Sequence, residues 1–149
     1  ELEVPFATLY GKALAGMPLE GEAGAIAFRV GLLSPLSETV AGRATTATAE
    51  DAYLKAIALG KAAEALPPDS LARAISAAFR APVVSTETQA LLDGNRRGEA
   101  IIAAIDHIGR GVQGDLRGVT EGLSILRMTG LESVARRTAL ELMILERRG

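Results

Sequence analysis

Apolar residues recur at three- and four-residue intervals in every stretch of this chain longer than ten residues. That spacing is the period of one helix face. A chain patterned this way hides its apolar side chains by packing helix on helix. The clearest run is the last third, where three helical patterns follow one another with only a few residues between them.

Composition agrees with that reading. Ala occurs 27 times and Leu 20 times, so two strong helix formers make up nearly a third of the 149 residues. Aromatics are 3% with no Trp, so the core is built from small and aliphatic side chains that let helices approach closely. A hydrophobic content of 48% with 23% charge is that of a globular chain. The length suits a single all-α domain spanning 1–149, able to bury roughly 68–70% of its unfolded surface.

Cysteine is absent, which excludes disulfides and thiolate metal sites. The uncharged stretches are too interrupted by Gly, Pro and polar residues to span a bilayer. The chain starts Glu1-Leu2-Glu3 without Met, so the expectation is a processed product or the C-terminal part of a longer chain, cytoplasmic or periplasmic. Net charge is −2, which argues against nucleic acid as the main partner. Arg outnumbers Lys thirteen to three, which suits interfaces but also follows from a GC-rich coding sequence.

Along the chain, Pro5 opens a helix over 5–15 with Phe6, Leu9, Tyr10 and Ala13 on one face. A second helix over 21–33 aligns Ala23, Ile26, Ala27, Val30 and Leu33. Residues 34–48 are the most loop-like stretch and the place for an internal boundary, although 36–40 has the makings of a short turn. Thr48 caps a helix over 49–66 whose stripe is Ala52, Ala56, Leu59, Ala63 and Leu66, with Asp51 and Lys55 as an i,i+4 pair. Pro67-Pro68 stops it and starts the next, to residue 80, with Leu71, Ile75, Ala78 and Phe79 inward and Asp69, Arg73, Ser76 and Arg80 outward. That arrangement implies a tight helical hairpin.

Thr86 and Gln89 fit a capping box for a short helix closed by Gly94. Asn95 is placed to cap a helix to Arg110 that buries Ile101, Ile102, Ile105 and Ile108, with Glu99, Ala103, Asp106 and Arg110 outside. Asp115 caps a helix carrying Leu116, Val119, Leu123 and Leu126. Gly130 ends it, and 131–146 forms the last helix, with Glu132 pairing Arg136 and Arg137 pairing Glu141. The expected architecture is all-α, about seven or eight helices in successive antiparallel hairpins, as an irregular α-solenoid or orthogonal bundle. The hairpin starts near 5, 49, 87 and 115 keep no fixed period.

No residue set carries an evident chemistry. Residues 109–114, GRGVQG, match G-x-G-x-x-G formally, but that mechanism needs a strand before the loop. Here a helical pattern precedes it, so the glycines read as a helix end and a turn. His107 is the only histidine and lacks a second ligand at i±3 or i±4, which makes it structural and half-exposed. Ser124 lies mid-helix and can bond its own backbone. The carboxylates mostly have a basic residue one turn away, as on a solvated helix surface. Residues 129–137, TGLESVARR, have a helix-turn-helix flavour with Arg136, Arg137, Arg147 and Arg148. The helix then continues into LELMIL, a packing sequence rather than a base-reading one. Neither a cofactor nor a metal is expected, and the chain reads as non-catalytic.

Residues 49–79, with Tyr53, Ala56, Ala62-Ala63 and Pro67-Pro68-Asp69-Ser70, resemble the second half of a tetratricopeptide repeat. Over 98–147, the run Leu126-Arg127, Gly130-Leu131-Glu132, Ala135-Arg136, Ala139-Leu140-Glu141 resembles the C-terminal hairpin of Ala/Leu-rich helical-repeat proteins of alphaproteobacteria. The second resemblance implies an α-solenoid end and an exported protein. It implies no activity and no functional residues.

The resulting expectation is a non-catalytic scaffold or protein–protein interaction module. Its partner is another protein or missing repeats of the same chain. Its surface is expected at Leu140, Met143, Ile144 and Arg147, because 140–145 is apolar on nearly every side. The alternative is a small-molecule or lipid binder with an apolar pocket between hairpins, lined by Phe28, Tyr53 and Phe79.

Overall fold

The computed structural model describes residues 2–17 and 20–146. The protein is all-α. The described residues form nine helices and no strand, and 73% of them are helical. The helices are α1 (Glu3–Gly16), α2 (Gly21–Leu32), α3 (Ser37–Arg43), α4 (Ala49–Ala58), α5 (Ser70–Arg80), α6 (Thr86–Asp93), α7 (Arg97–Val112), α8 (Leu116–Met128) and α9 (Glu132–Leu145). The helix beyond the expected eight is α3, which lies inside the stretch read as loop and buries Val40 and Ala41. Helices α1 to α4 pack in succession, α9 lies on α4, and α8 packs against α5, α7 and α9. One core runs from Phe28 through Tyr53, Ile75 and Leu123 to Met143.

Several helix ends follow their residues directly. The Thr48 hydroxyl accepts from the Asp51 amide, Asp115 accepts from the Arg117 and Gly118 amides, and Gly130 adopts φ 87° to close α8. Two caps differ from expectation. Ser85, not Thr86, caps α6 by accepting from the Thr88 amide, while Gln89 turns to Asp93 at 2.7 Å. Asn95 takes φ 56° and sits in the turn, leaving Arg96 at the head of α7.

Helix α4 stops eight residues before 66. Gly60 takes φ 73°, its amide bonds Ile57 O at 3.0 Å, and the Lys61 amide bonds Ala56 O at 2.7 Å. This is a Schellman end, which satisfies the last carbonyls and turns the chain away. The buried face is therefore Tyr53, Leu54, Ile57 and Ala58, while Leu66 is 88% exposed. Residues 59–69 separate α4 from α5, so the two do not form the tight hairpin expected; α5 lies chiefly along α8. Ser76, expected outside, is buried in a hydrogen-bonded group with Tyr53 and Ala62 O.

The expected ion pairs are redistributed across helices. Asp51 bonds Arg29 at 3.0 Å, and Lys55 donates to Ala44 O at 2.6 Å. Glu132 accepts from Arg127 at 2.7 Å. Arg136 reaches Glu38 at 2.7 Å and Ala58 O at 3.0 Å, tying α9 to α3 and to the end of α4.

The antiparallel pair α7 and α8 shows the largest departure from the expected burial. The buried positions of α7 are Ala100 and Ala104, while Ile102 and Ile105 are 68% and 64% exposed. Ile101 and Ile108 are half-buried, and Ala103, expected outside, packs on the core. The cause lies on α8. Gly118 and Gly122 sit so close to α7 that an added Cβ would stand 2.6 Å from His107 O and 2.7 Å from Ile108 Cγ1 respectively. A seam that tight admits Ala but not Ile.

Helix α1 behaves the same way. It packs through Ala7, Gly11 and Leu14, and the expected Phe6, Leu9, Tyr10 and Ala13 face is exposed. On α2, Ile26 and Ala23 face out, while Gly24, Ala27, Phe28, Gly31 and Leu32 are buried.

Candidate functional site

The C-terminal surface expected at 140–145 is core. Leu140 is 2% exposed and Met143 0%, and Ile144 is half-buried against the same cluster. The surrounding helices supply the cover this turn requires. Arg147 lies outside the described residues. Leu123, Leu126, Ala139 and Leu142 are core as their stripes require, whereas Val134 is 43% exposed.

The three aromatics expected to line one pocket are apart in function. Tyr53 is buried, and its hydroxyl donates to Ala72 O at 2.7 Å and shares a second hydrogen bond with Ser76 Oγ at 2.7 Å. Burial pushes this phenol above its ordinary pKa, with the Ser76 bond acting in the opposite sense. Phe79 lies under the Arg127 guanidinium, 5.0 Å from the ring centroid. The same guanidinium donates to Ala78 O and Phe79 O, at 2.8 and 2.6 Å. Phe28 borders a groove of about 410 Å³ with Gly24, Ala44 and Asp51, and neither Tyr53 nor Phe79 lines that groove.

The G-x-G-x-x-G run is a helix end. Gly109 and Gly111 belong to α7, Gly114 turns the chain at φ 101°, and Gly111 faces Val119 of α8. His107 is partly buried, with Nδ1 2.8 Å from Arg110 Nη2 and Nε2 3.7 Å from Glu121 Oε1. Glu121 accepts from the Ser85 amide at 2.9 Å, which clasps the start of α6 to α8. Burial alone would raise the Glu121 carboxyl, but hydrogen bonding from Ser85 and the charges of His107 and Arg110 bring it below its usual value. Ser124 donates to Thr120 O at 2.7 Å, as its mid-helix position implies, and also accepts from the Val83 amide at 3.2 Å. Among the described residues no cluster of three His, Asp or Glu side chains is placed to hold a metal. No described helix is long and apolar enough to cross a membrane.

Two features sequence reading missed are open to a ligand or partner. The first is the outer row of α1, where Leu2, Phe6, Leu9 and Tyr10 are 79%, 47%, 79% and 53% exposed. The Phe6 and Tyr10 rings lean on each other, with centroids 4.7 Å apart. The second is a cleft of about 340 Å³ between the α2–α3 turn and α9, lined by Ser37, Glu38, Thr39, Ser133, Arg136 and Arg137 among others. Its two walls are nearly a hundred residues apart in sequence, so no local motif could have marked it. Comparison with protein families, curated proteins and solved structures finds no match to this chain.

Proposed function

We propose that this protein is a non-catalytic interaction module that docks an apolar helix of a partner protein on the outer row of α1. The observation that carries this reading is that α1 is apolar on two opposite sides. Ala7, Gly11 and Leu14 pack on the body of the protein, and Leu2, Phe6, Leu9 and Ala13 form a solvent-facing row at 4-3-4 spacing. Glu3 and Lys12 are the only charged residues of the helix. A helix apolar on most of its circumference belongs in an interior, and a contiguous exposed apolar row is costly unless something covers it. The 4-3-4 row is the spacing at which a second helix seats its side chains between those of the first. Phe6 and Tyr10 supply the rigid aromatic area that anchors protein interfaces.

A photo-crosslinking residue placed at Leu9 in cells tests the reading, with the exposed Arg73 as control site. The expected result is one discrete protein adduct at Leu9 and none at Arg73. The captured protein, once purified, should bind the wild type saturably and Leu9→Glu at least about tenfold more weakly, with thermal stability unchanged. An adduct whose mass and peptides belong to the same polypeptide would replace the partner with a further repeat of this chain. No adduct, or equal adducts at both sites, would refute the docking surface.

A further inference from the structure

We infer that the cleft between α3 and α9 binds the oxyanion group, phosphate or carboxylate, of a small molecule. The inference is independent of the α1 surface, because no residue of α1 lines the cleft. The volume of about 340 Å³ lies at the lower end of small-molecule sites, which fits a compact ligand.

Its polar inventory is mostly unclaimed within the fold. Among the described residues, the hydroxyls of Ser37, Thr39 and Ser133 and the guanidinium of Arg137 have no hydrogen-bond or ion-pair partner. Three hydroxyl-bearing residues and an arginine lining one cleft are a donor set for oxygen anions. Arg136 adds to it. Its Nη1 is held by Glu38 and by Ala58 O, while its Nε is buried with no hydrogen-bond partner. That Nε is sealed from solvent, so Arg136 contributes positive charge to the cleft wall rather than a donor from this atom. The opposing charges are Glu38, at 2.7 Å from Arg136, and Glu141, one turn along α9 from Arg137. Burial raises the Glu141 carboxyl above its usual value, and Arg137 pulls it back. The cleft lining itself holds two arginines against the single carboxylate Glu38, a net positive wall.

The test is a titration of isotope-labelled protein with inorganic phosphate, and separately with acetate, at ionic strength held constant with sodium chloride. The expected result is saturable movement of the Ser37, Thr39, Ser133 and Arg137 resonances by at least one anion, with a Kd on the order of 1 mM. Arg137→Gln should weaken that binding about tenfold, Arg137→Lys should retain part of it, and Arg73→Gln should leave it unchanged. Saturation by phosphate alone assigns the phosphate class, and saturation by acetate alone assigns the carboxylate class. Arg137 is exposed, so its variants fold as the wild type does, checked by thermal melts. The inference falls if neither anion saturates below about 50 mM, if the shifts map elsewhere, or if Arg137→Gln binds as tightly as wild type.

Discussion

Substituting alanine for single glycines on α7 and α8 should give stability changes of opposite sign. At Gly122 a Cβ would meet Ile108 Cγ1 at 2.7 Å, Ala104 O at 3.0 Å and His107 Cβ at 3.3 Å; at Gly118 it would meet His107 O at 2.6 Å. Ordinary carbon–oxygen approach is about 3.3–3.6 Å. The clash at Gly118 is with backbone, so relief requires the two helices to separate by several tenths of an ångström or more. Overpacking of this kind costs about 1–3 kcal/mol, partly offset by the gain of roughly 1 kcal/mol that Ala brings to a helix interior. The expected net result for Gly118→Ala is a loss of up to about 2 kcal/mol, or up to roughly 8 °C in Tm. Gly109, on α7, has nothing within 4 Å of its added Cβ. Gly109→Ala should therefore stabilise by about 0.5–1 kcal/mol. Urea unfolding followed by circular dichroism measures both. If Gly118→Ala stabilises as much as Gly109→Ala, the close seam between α7 and α8 does not exist as described.

Three further changes probe other parts of the fold. Leu126→Ala removes a side chain that is 4% exposed between α8 and the core, and should cost about 2–5 kcal/mol by denaturant unfolding. Tyr53→Phe leaves Ala72 O and Ser76 without the phenol, and should cost about 1–3 kcal/mol with secondary structure retained. Glu141→Gln and Glu121→Gln should give opposite pH profiles of Tm. Burial raises Glu141 in the fold, so its contribution is fully present below the unfolded carboxylate pKa and lost as pH rises through the folded value; the Gln variant gains on wild type at neutral pH. Glu121 is lowered, so its stabilisation holds above the unfolded value and disappears as pH falls through the folded one; the Gln variant loses at neutral pH and converges with wild type in acid.

The helices and many of their ends were legible because caps are local chemistry. Thr48, Asp115 and Gly130 stand where their side chains or backbone freedom require. Gly60 is equally informative, but an apolar period that continues through Ala63 and Leu66 masks the stop it makes. Sequence spacing pairs ions along one helix, whereas Asp51, Glu132 and Arg136 all find partners on other segments. The cleft was illegible for a related reason. Ser37 and Thr39 lie in a stretch read as loop, and Arg136 and Arg137 looked like a solvated helix face until α3 was brought beside them.

The misassigned faces share one physical cause. Helical periodicity reports where apolar residues fall and is silent about which of two apolar rows is the smaller. On α1 and α7 both rows exist. Ala7-Gly11-Leu14 competes with Phe6-Leu9-Tyr10, and Ala100-Ala104 with Ile101-Ile102-Ile105. Burying the large row gains more apolar area. The small row permits helix backbones to come close, so that many more atoms reach contact distance. On α7 the glycines of α8 tip the balance, since they leave a groove that the isoleucines cannot enter. On α1, Gly11 plays the corresponding part, with its added Cβ 2.8 Å from Ser34 Cβ. Packing through small residues thus displaces large apolar side chains to the outside as a consequence of the fold itself. On α7 the row outside is short and bordered by Glu99, Asp106 and Arg110. On α1 it runs the length of a helix that carries only two charges, Glu3 and Lys12, and is the longer of the two exposed apolar rows.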